Sequence, residues 1–237
     1  MAFNPGNFQV SSTSQKYMPV VLLLDVSGSM GGEKINNLYT ATTKMIETFS
    51  EQAKNEIPYK VAIITFGDRV DCHTRYTDAK DLQNLSGFTA SGMTPLGTAL
   101  RMAKAMIDDK DETKSRWYKP AVILVSDGKP TDSYEEPMRA FINDGRSAKC
   151  QRISMGIGND ADYGMLESFA SDSTFCFKAE SAADIVNTFK LVTMSVTSRS
   201  ASQNPNDFPG ANITDDVPKS RRSQVNSVDD DDMYDMG

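Results

Sequence analysis

Apolar positions fall along this chain in two alternating rhythms. Val20, Val21, Leu22, Leu23 and Leu24 form an unbroken apolar run of strand length, as a parallel strand covered on both faces requires. Ile35, Leu38, Tyr39, Met45, Ile46 and Phe49 then recur at helical spacing, predicting an amphipathic helix from about Lys34 to Ala53. The pattern repeats. Tyr59–Phe66 and Ala121–Val125 predict further buried strands, Ile153–Ile157 another, and Thr174–Phe177 a last one. Val70–Tyr76 is short and polar, which suits a sheet edge. Between these strands lie a helix opened by Thr94, with Pro95 in its first turn where the missing N–H costs nothing, and one marked by Met138, Phe141 and Ile142. A short helix carries Leu166 and Phe169, and a closing helix carries Ile185, Phe189, Val192 and Val196.

About six strands alternating with helices predict an α/β fold: a doubly wound, mostly parallel, six-stranded Rossmann-like sheet with helices on both faces and one short antiparallel edge strand. The first and fourth strands should lie side by side at the point where winding reverses, because their ends carry Asp25 and Asp127. Residues 18–199 form this domain. Residues 1–17 are expected as a loose arm, pinned by Phe3 or Phe8, and 200–237 as a disordered acidic tail, since they carry eight Asp against one Lys and two Arg.

The 237 residues carry a formal net charge of −7, which argues against nucleic acid or an anionic membrane as partner. No apolar segment approaches the about 20 residues needed to span a bilayer. Met1–Met18 lacks an apolar core of signal-peptide length behind a basic start. Cys72, Cys150 and Cys176 are odd in number and form no CxxC pair, so reduced, mostly buried thiols in a cytoplasmic protein are expected.

Three distant segments end on the same chemistry: Asp25, Ser27 and Ser29 after the first strand, Thr94 before a helix, and Asp127 after another apolar strand. Each also admits a simpler reading, as helix cap or turn residue. Together they supply two carboxylates and three hydroxyls to one crevice at the carboxyl ends of the strands. Such hard oxygen donors suit Mg2+, which tolerates few charged ligands and keeps water, with Mn2+ and Ca2+ as rivals. Asp132 is expected as a cap or supporting acceptor, His73 as solvent-exposed, Trp117 and Tyr118 as packing residues, and Gly31-Gly32 as the start of a helix.

A Mg2+-dependent phosphohydrolase of the haloacid-dehalogenase type is the enzymatic alternative. Its chemistry needs a second carboxylate two residues after the first aspartate; here that position is Ser27, a poor proton donor. No GxxxxGK[ST] loop is present, and one histidine on an edge strand cannot complete a Ser/His/Asp set.

Asp25-x-Ser27-x-Ser29, Thr94 in Met93-Thr94-Pro95-Leu96, and Asp127 in Ser126-Asp127-Gly128 resemble the metal-ion-dependent adhesion site of von Willebrand factor A (VWA) domains. The likeness runs from about Val20 to Val196 and includes the order of elements. It implies a VWA fold in which Ser27, Ser29 and Thr94 turn hydroxyls to a metal, while Asp25 and Asp127 bind it directly or through water. It also implies a protein partner offering Asp or Glu to the ion. The run Ser126–Asp132 is similar to that of bacterial stand-alone tellurite-resistance (TerY-type) VWA proteins, which implies a Ser/Thr kinase and a PP2C-like phosphatase as partners. A solvated tail is the simpler account of Asp229–Asp232; the alternative is that one of them supplies such a carboxylate internally.

Overall fold

The computed structural model describes residues 15–53 and 57–208. Its elements follow in the order β1 (Met18–Asp25), α1 (Glu33–Gln52), β2 (Tyr59–Phe66), β3 (Val70–Asp78), α2 (Leu96–Asp108), β4 (Ala121–Ser126), α3 (Glu135–Asn143), β5 (Gln151–Ile157), α4 (Tyr163–Phe169), β6 (Cys176–Ala179) and α5 (Ile185–Ser200). The six strands form one sheet in the order β3-β2-β1-β4-β5-β6. Every pairing is parallel except β2 with β3. β1 and β4 are neighbours, with Leu24 opposite Val125, so the expected reversal of winding falls between the two aspartate-bearing strands.

β1 shows why its run is uninterrupted. Val20, Leu22 and Leu24 pack with α1 and α5 on one face, while Val21 and Leu23 pack with α2, α3 and α4 on the other. All five are fully buried, and each contributes about 1.5–3 kcal/mol by leaving water. Phe49 of α1 stacks on Tyr59 at the start of β2, ring centroids 4.4 Å apart, anchoring the helix to the sheet.

Three local expectations shift. Pro95 lies one residue ahead of α2 rather than inside its first turn. The last strand begins at Cys176, not Thr174, because Asp172 accepts hydrogen bonds from the backbone N–H and hydroxyl of Thr174 and winds residues 173–175 into a 3-10 turn. His73 is half-buried, not solvent-exposed. Its ring nitrogens meet the Thr74 and Ser86 hydroxyls, and its ring packs edge-on against Phe88 at 5.1 Å.

Trp117 packs edge-to-face with Tyr17 and Tyr76, and the Tyr118 N–H donates to the Tyr17 carbonyl. Beyond residue 199 the described chain turns back on the domain. The Arg199 guanidinium, 4% exposed, donates to the carbonyl of Pro205 at 2.6 Å, to Gln151 Oε1 at 3.2 Å and to the Lys119 carbonyl, and faces the Phe208 ring at 4.9 Å. Burial pushes its pKa down to about 10, so it stays charged at neutral pH. Phe3, Phe8 and Asp229–Asp232, to which the sequence assigned roles, lie outside the described residues.

Arg199→Met leaves the buried Pro205 carbonyl and Gln151 Oε1 without this donor, each at about 1–3 kcal/mol. Urea denaturation should show a loss of about 3 kcal/mol; a loss below about 1 kcal/mol would mean the guanidinium does not hold residues 200–208 in place.

Candidate metal centre

The site is built where β1 and β4 run out. Register places Asp25 beside Phe66 of β2 on one side, and the Leu24–Val125 pairing brings Ser126 alongside it on the other. The Asp25 side chain is fully buried. Its Oδ1 accepts the Ser27 N–H at 2.8 Å and its Oδ2 accepts the Ser126 hydroxyl at 2.6 Å. Burial holds its pKa above the ordinary carboxylate value; the Asp127 charge adds to the rise, and the hydrogen bonds from Ser126 and Ser27 oppose it.

From Ser27 a chain of short contacts crosses to the second carboxylate. Ser27 Oγ lies 3.0 Å from Ser29 Oγ, whose hydroxyl donates to Asp127 Oδ1 at 2.7 Å. Thr94 is 5% exposed and joins the group through backbone. Its N–H donates to the Thr131 hydroxyl at 2.9 Å, and its carbonyl accepts from the Thr131 N–H at 3.0 Å, tying it to the loop after Asp127. The Gly28 N–H donates to the Gly92 carbonyl at 3.0 Å, tying the same Thr94 loop to the loop after β1. Of the five sequence-derived residues, four are linked by side-chain or adjacent-backbone hydrogen bonds, and Thr94 is held against them by its loop.

Close backbone approach makes this possible. Gly92 sits at φ +74°, where a Cβ would stand 2.3 Å from Asp68 Cα; at Gly67 a Cβ would meet the Ser91 carbonyl oxygen at 2.6 Å. Larger residues would push the Thr94 loop off the sheet edge. Asp132 is an acceptor for the other end of that loop. Its carboxylate takes the N–H groups of Gly97 and Thr98 and the Thr98 hydroxyl, capping α2 from a distant segment. Gly32 occupies the position before α1.

Two contributors escaped the sequence reading. Ser126 follows from register once β1 and β4 are known to be neighbours. Lys34 carried no such signal: its ammonium lies 2.5 Å from Asp127 Oδ2 and 3.3 Å from the Ser29 carbonyl. Among the described residues no group of three or more His, Cys, Asp or Glu could hold a metal. A cation bound here would therefore rely on hydroxyl oxygens as well as Asp25 and Asp127, and this hard-oxygen set fits a divalent ion.

A sheet with this order, and a hydroxyl-rich candidate site at the ends of its central strands, define an α/β domain with parallel winding reversed between β1 and β4. A family model for the von Willebrand factor type A domain matches residues 20–191, and the chain belongs to that family. Human inter-alpha-trypsin inhibitor heavy chain H4 is 29% identical over 160 residues, which are 65% of this chain and 17% of that protein; the chain thus spans less than a fifth of this relative. Two solved structures share the fold. The von Willebrand factor domain of the type V pili tip protein Mfa5 from Porphyromonas gingivalis has a TM-score of 0.62 at 14% identity, covering 78% of this chain and 97% of that one. Proximal thread matrix protein 1 from the mussel byssus, with a zinc-occupied MIDAS motif, has a TM-score of 0.58 at 16% identity, covering 82% and 56%.

Two outcomes follow from the geometry. A folded-state pKa above the unfolded 3.8 means that folding favours the protonated Asp25, so its contribution to stability is present at low pH and is lost as pH rises through the folded value. Asn at this position can still accept the Ser27 N–H and donate to Ser126. Asp25→Asn should therefore raise the Tm of chelator-treated protein at pH 7 and flatten its pH dependence; a lower Tm would contradict the sign. Lys34→Met removes a cation that competes for Asp127. Calorimetric titration with Mg2+ should show uptake tightened about fivefold, corresponding to about 1 kcal/mol at a largely hydrated site, with the gain shrinking as salt rises.

Proposed function

We propose that this domain is a metal-dependent protein-interaction module. Asp25, Ser27, Ser29, Thr94 and Asp127 hold a divalent cation, Mg2+ by ligand type with Mn2+ and Ca2+ as substitutes, and the ion grips an Asp or Glu carboxylate of a protein partner. The observation that carries this reading is the unbroken link from buried Asp25 through Ser27 and Ser29 to Asp127. Two carboxylates formally balance a divalent ion and the hydroxyls add no charge, but the Lys34 ammonium 2.5 Å from Asp127 Oδ2 offsets one of those carboxylates, so an anionic guest is attracted to the ion.

The mussel protein's zinc-occupied motif supports metal binding by this fold, and adhesive relatives such as the pilus adhesin SpaC from Lactobacillus rhamnosus GG support a binding rather than a catalytic role. No helix among the described residues is long and apolar enough to cross a membrane. The finer setting rests on the Ser126–Asp132 run: a cytoplasmic adaptor or regulator in a bacterial stress, tellurite-resistance or phospho-signalling system, joined to a Ser/Thr kinase and a PP2C-type phosphatase.

Affinity purification of wild type and Asp25→Ala, each with and without chelator, tests the reading. Wild type should retain a partner only in divalent ion, and Asp25→Ala should lose it by at least tenfold while keeping the far-ultraviolet circular dichroism of the fold. Retention that is indifferent to both chelator and substitution would refute the metal-bridged contact.

A further inference from the structure

Beside the metal centre a cleft of about 310 Å³ opens between the β2–β3 turn and the 87–91 loop. Val26, the residue between Asp25 and Ser27, forms part of its wall, and so does Ser91, whose N–H donates to the Val26 carbonyl at 2.8 Å. The cleft therefore shares its wall with the loop that follows β1. The rest of its lining brings two carboxylates, one guanidinium, a histidine and an aromatic ring. Asp68 is exposed and makes no ion pair among the described residues, Asp71 is paired with Arg69, and Phe88 lies alongside. Burial lowers the pKa of His73, so at neutral pH the cleft keeps one uncompensated negative charge.

Position fixes what could use it. Phe66 pairs with Asp25 on one side and with Val70 on the other. Asp68 and Asp71 thus stand about one to two strand spacings, roughly 5–10 Å, from the end of β1. In an extended peptide, side chains two residues apart point the same way and are separated by about 6.6 Å. A partner segment with its carboxylate at the metal would then hold the side chain two positions away over this cleft. A lysine or arginine stem is long enough to cross the remaining distance, and Phe88 offers a ring for a cation to approach.

We propose that the cleft selects a basic residue two positions from the metal-bound Asp or Glu of the partner, with Asp68 as its counter-charge. This rests on the metal-bridged reading above and adds the partner's sequence requirement to it. The contact gives specificity more than affinity, because Asp68 is solvent-exposed and its pairing is screened.

The test is selection from a library of blocked peptides with a fixed central aspartate and randomised positions two residues to either side, against full-length protein in saturating Mg2+. Wild type should enrich lysine and arginine severalfold at one of the two positions. Asp68→Asn should lose that enrichment while still requiring the central aspartate and Mg2+, and Arg69→Ala, which unmasks Asp71, should strengthen it. Selection of the central aspartate without a basic preference, or a basic preference unchanged in Asp68→Asn, overturns the inference and leaves the metal-bridged reading standing. Peptide binding indifferent to Mg2+ and to the central aspartate overturns both.

Discussion

A carboxylate buried at the end of the central strand governs this molecule. Asp25 lies where β1 and β4 part, fixed by a backbone N–H from its own chain and a hydroxyl from the neighbouring strand. Placing a charge there is unfavourable in the absence of a compensating cation, which is the meaning of its raised pKa. The position is held because the strands on both sides are packed on both faces and cannot shift to expose it. The surrounding loops converge on it through close backbone contacts that only glycine permits at Gly67 and Gly92. Fold and site are therefore one arrangement: the sheet supplies the rigidity that keeps an otherwise unfavourable carboxylate in place.

Much of this was legible in the residues. Runs without polar interruption identified β1 and β4, because strands covered on both faces have no solvent side to mark; β2 was legible from Tyr59 to Phe66 despite Lys60 and Thr65, and β5 from Ile153 despite Ser154. The adjacency of β1 and β4 followed from the chemistry at their ends. What stayed hidden was non-local. The capping of α2 by Asp132 comes from 34 and 35 residues away in the chain, so no spacing rule near Pro95 could fix the helix start. Asp172 competes with the ladder for the backbone of Thr174, which displaces the start of β6. His73 looked exposed because the polar residues of an edge strand conceal alternation; its own side turns toward Phe88. Lys34 follows the metal loop by only a few residues, but its contact depends on how the first turn of α1 faces the end of β4.

The fold says less about the guest than about the socket. Structures at 14–16% identity share the fold, and such likeness does not determine a partner. Discrimination has to come from what surrounds the metal loop. Here that rim is made by residues 67–71 and 87–93, which differ in character: an acidic turn on one side, and on the other a loop that ends in Met93, 64% exposed. A long apolar side chain directly before Thr94, and Asp68 with no ion pair among the described residues, give the two sides of the entrance different chemistry.

The hydroxyls also set how the site answers a cation. Ser29 gives its proton to Asp127, which leaves Ser27 as the donor in the Ser27–Ser29 contact. In that sense the protons run toward the carboxylate, and each hydroxyl oxygen keeps lone pairs to offer elsewhere. Replacing either serine with a carboxylate would add charge at the position where, in the proposed contact, a partner's carboxylate would supply it. A more fully neutralised ion would bind the protein more tightly and the partner more weakly. Within the proposed metal-bridged contact, serine at both positions would hold the cation without added charge and leave its attraction for an incoming anion intact.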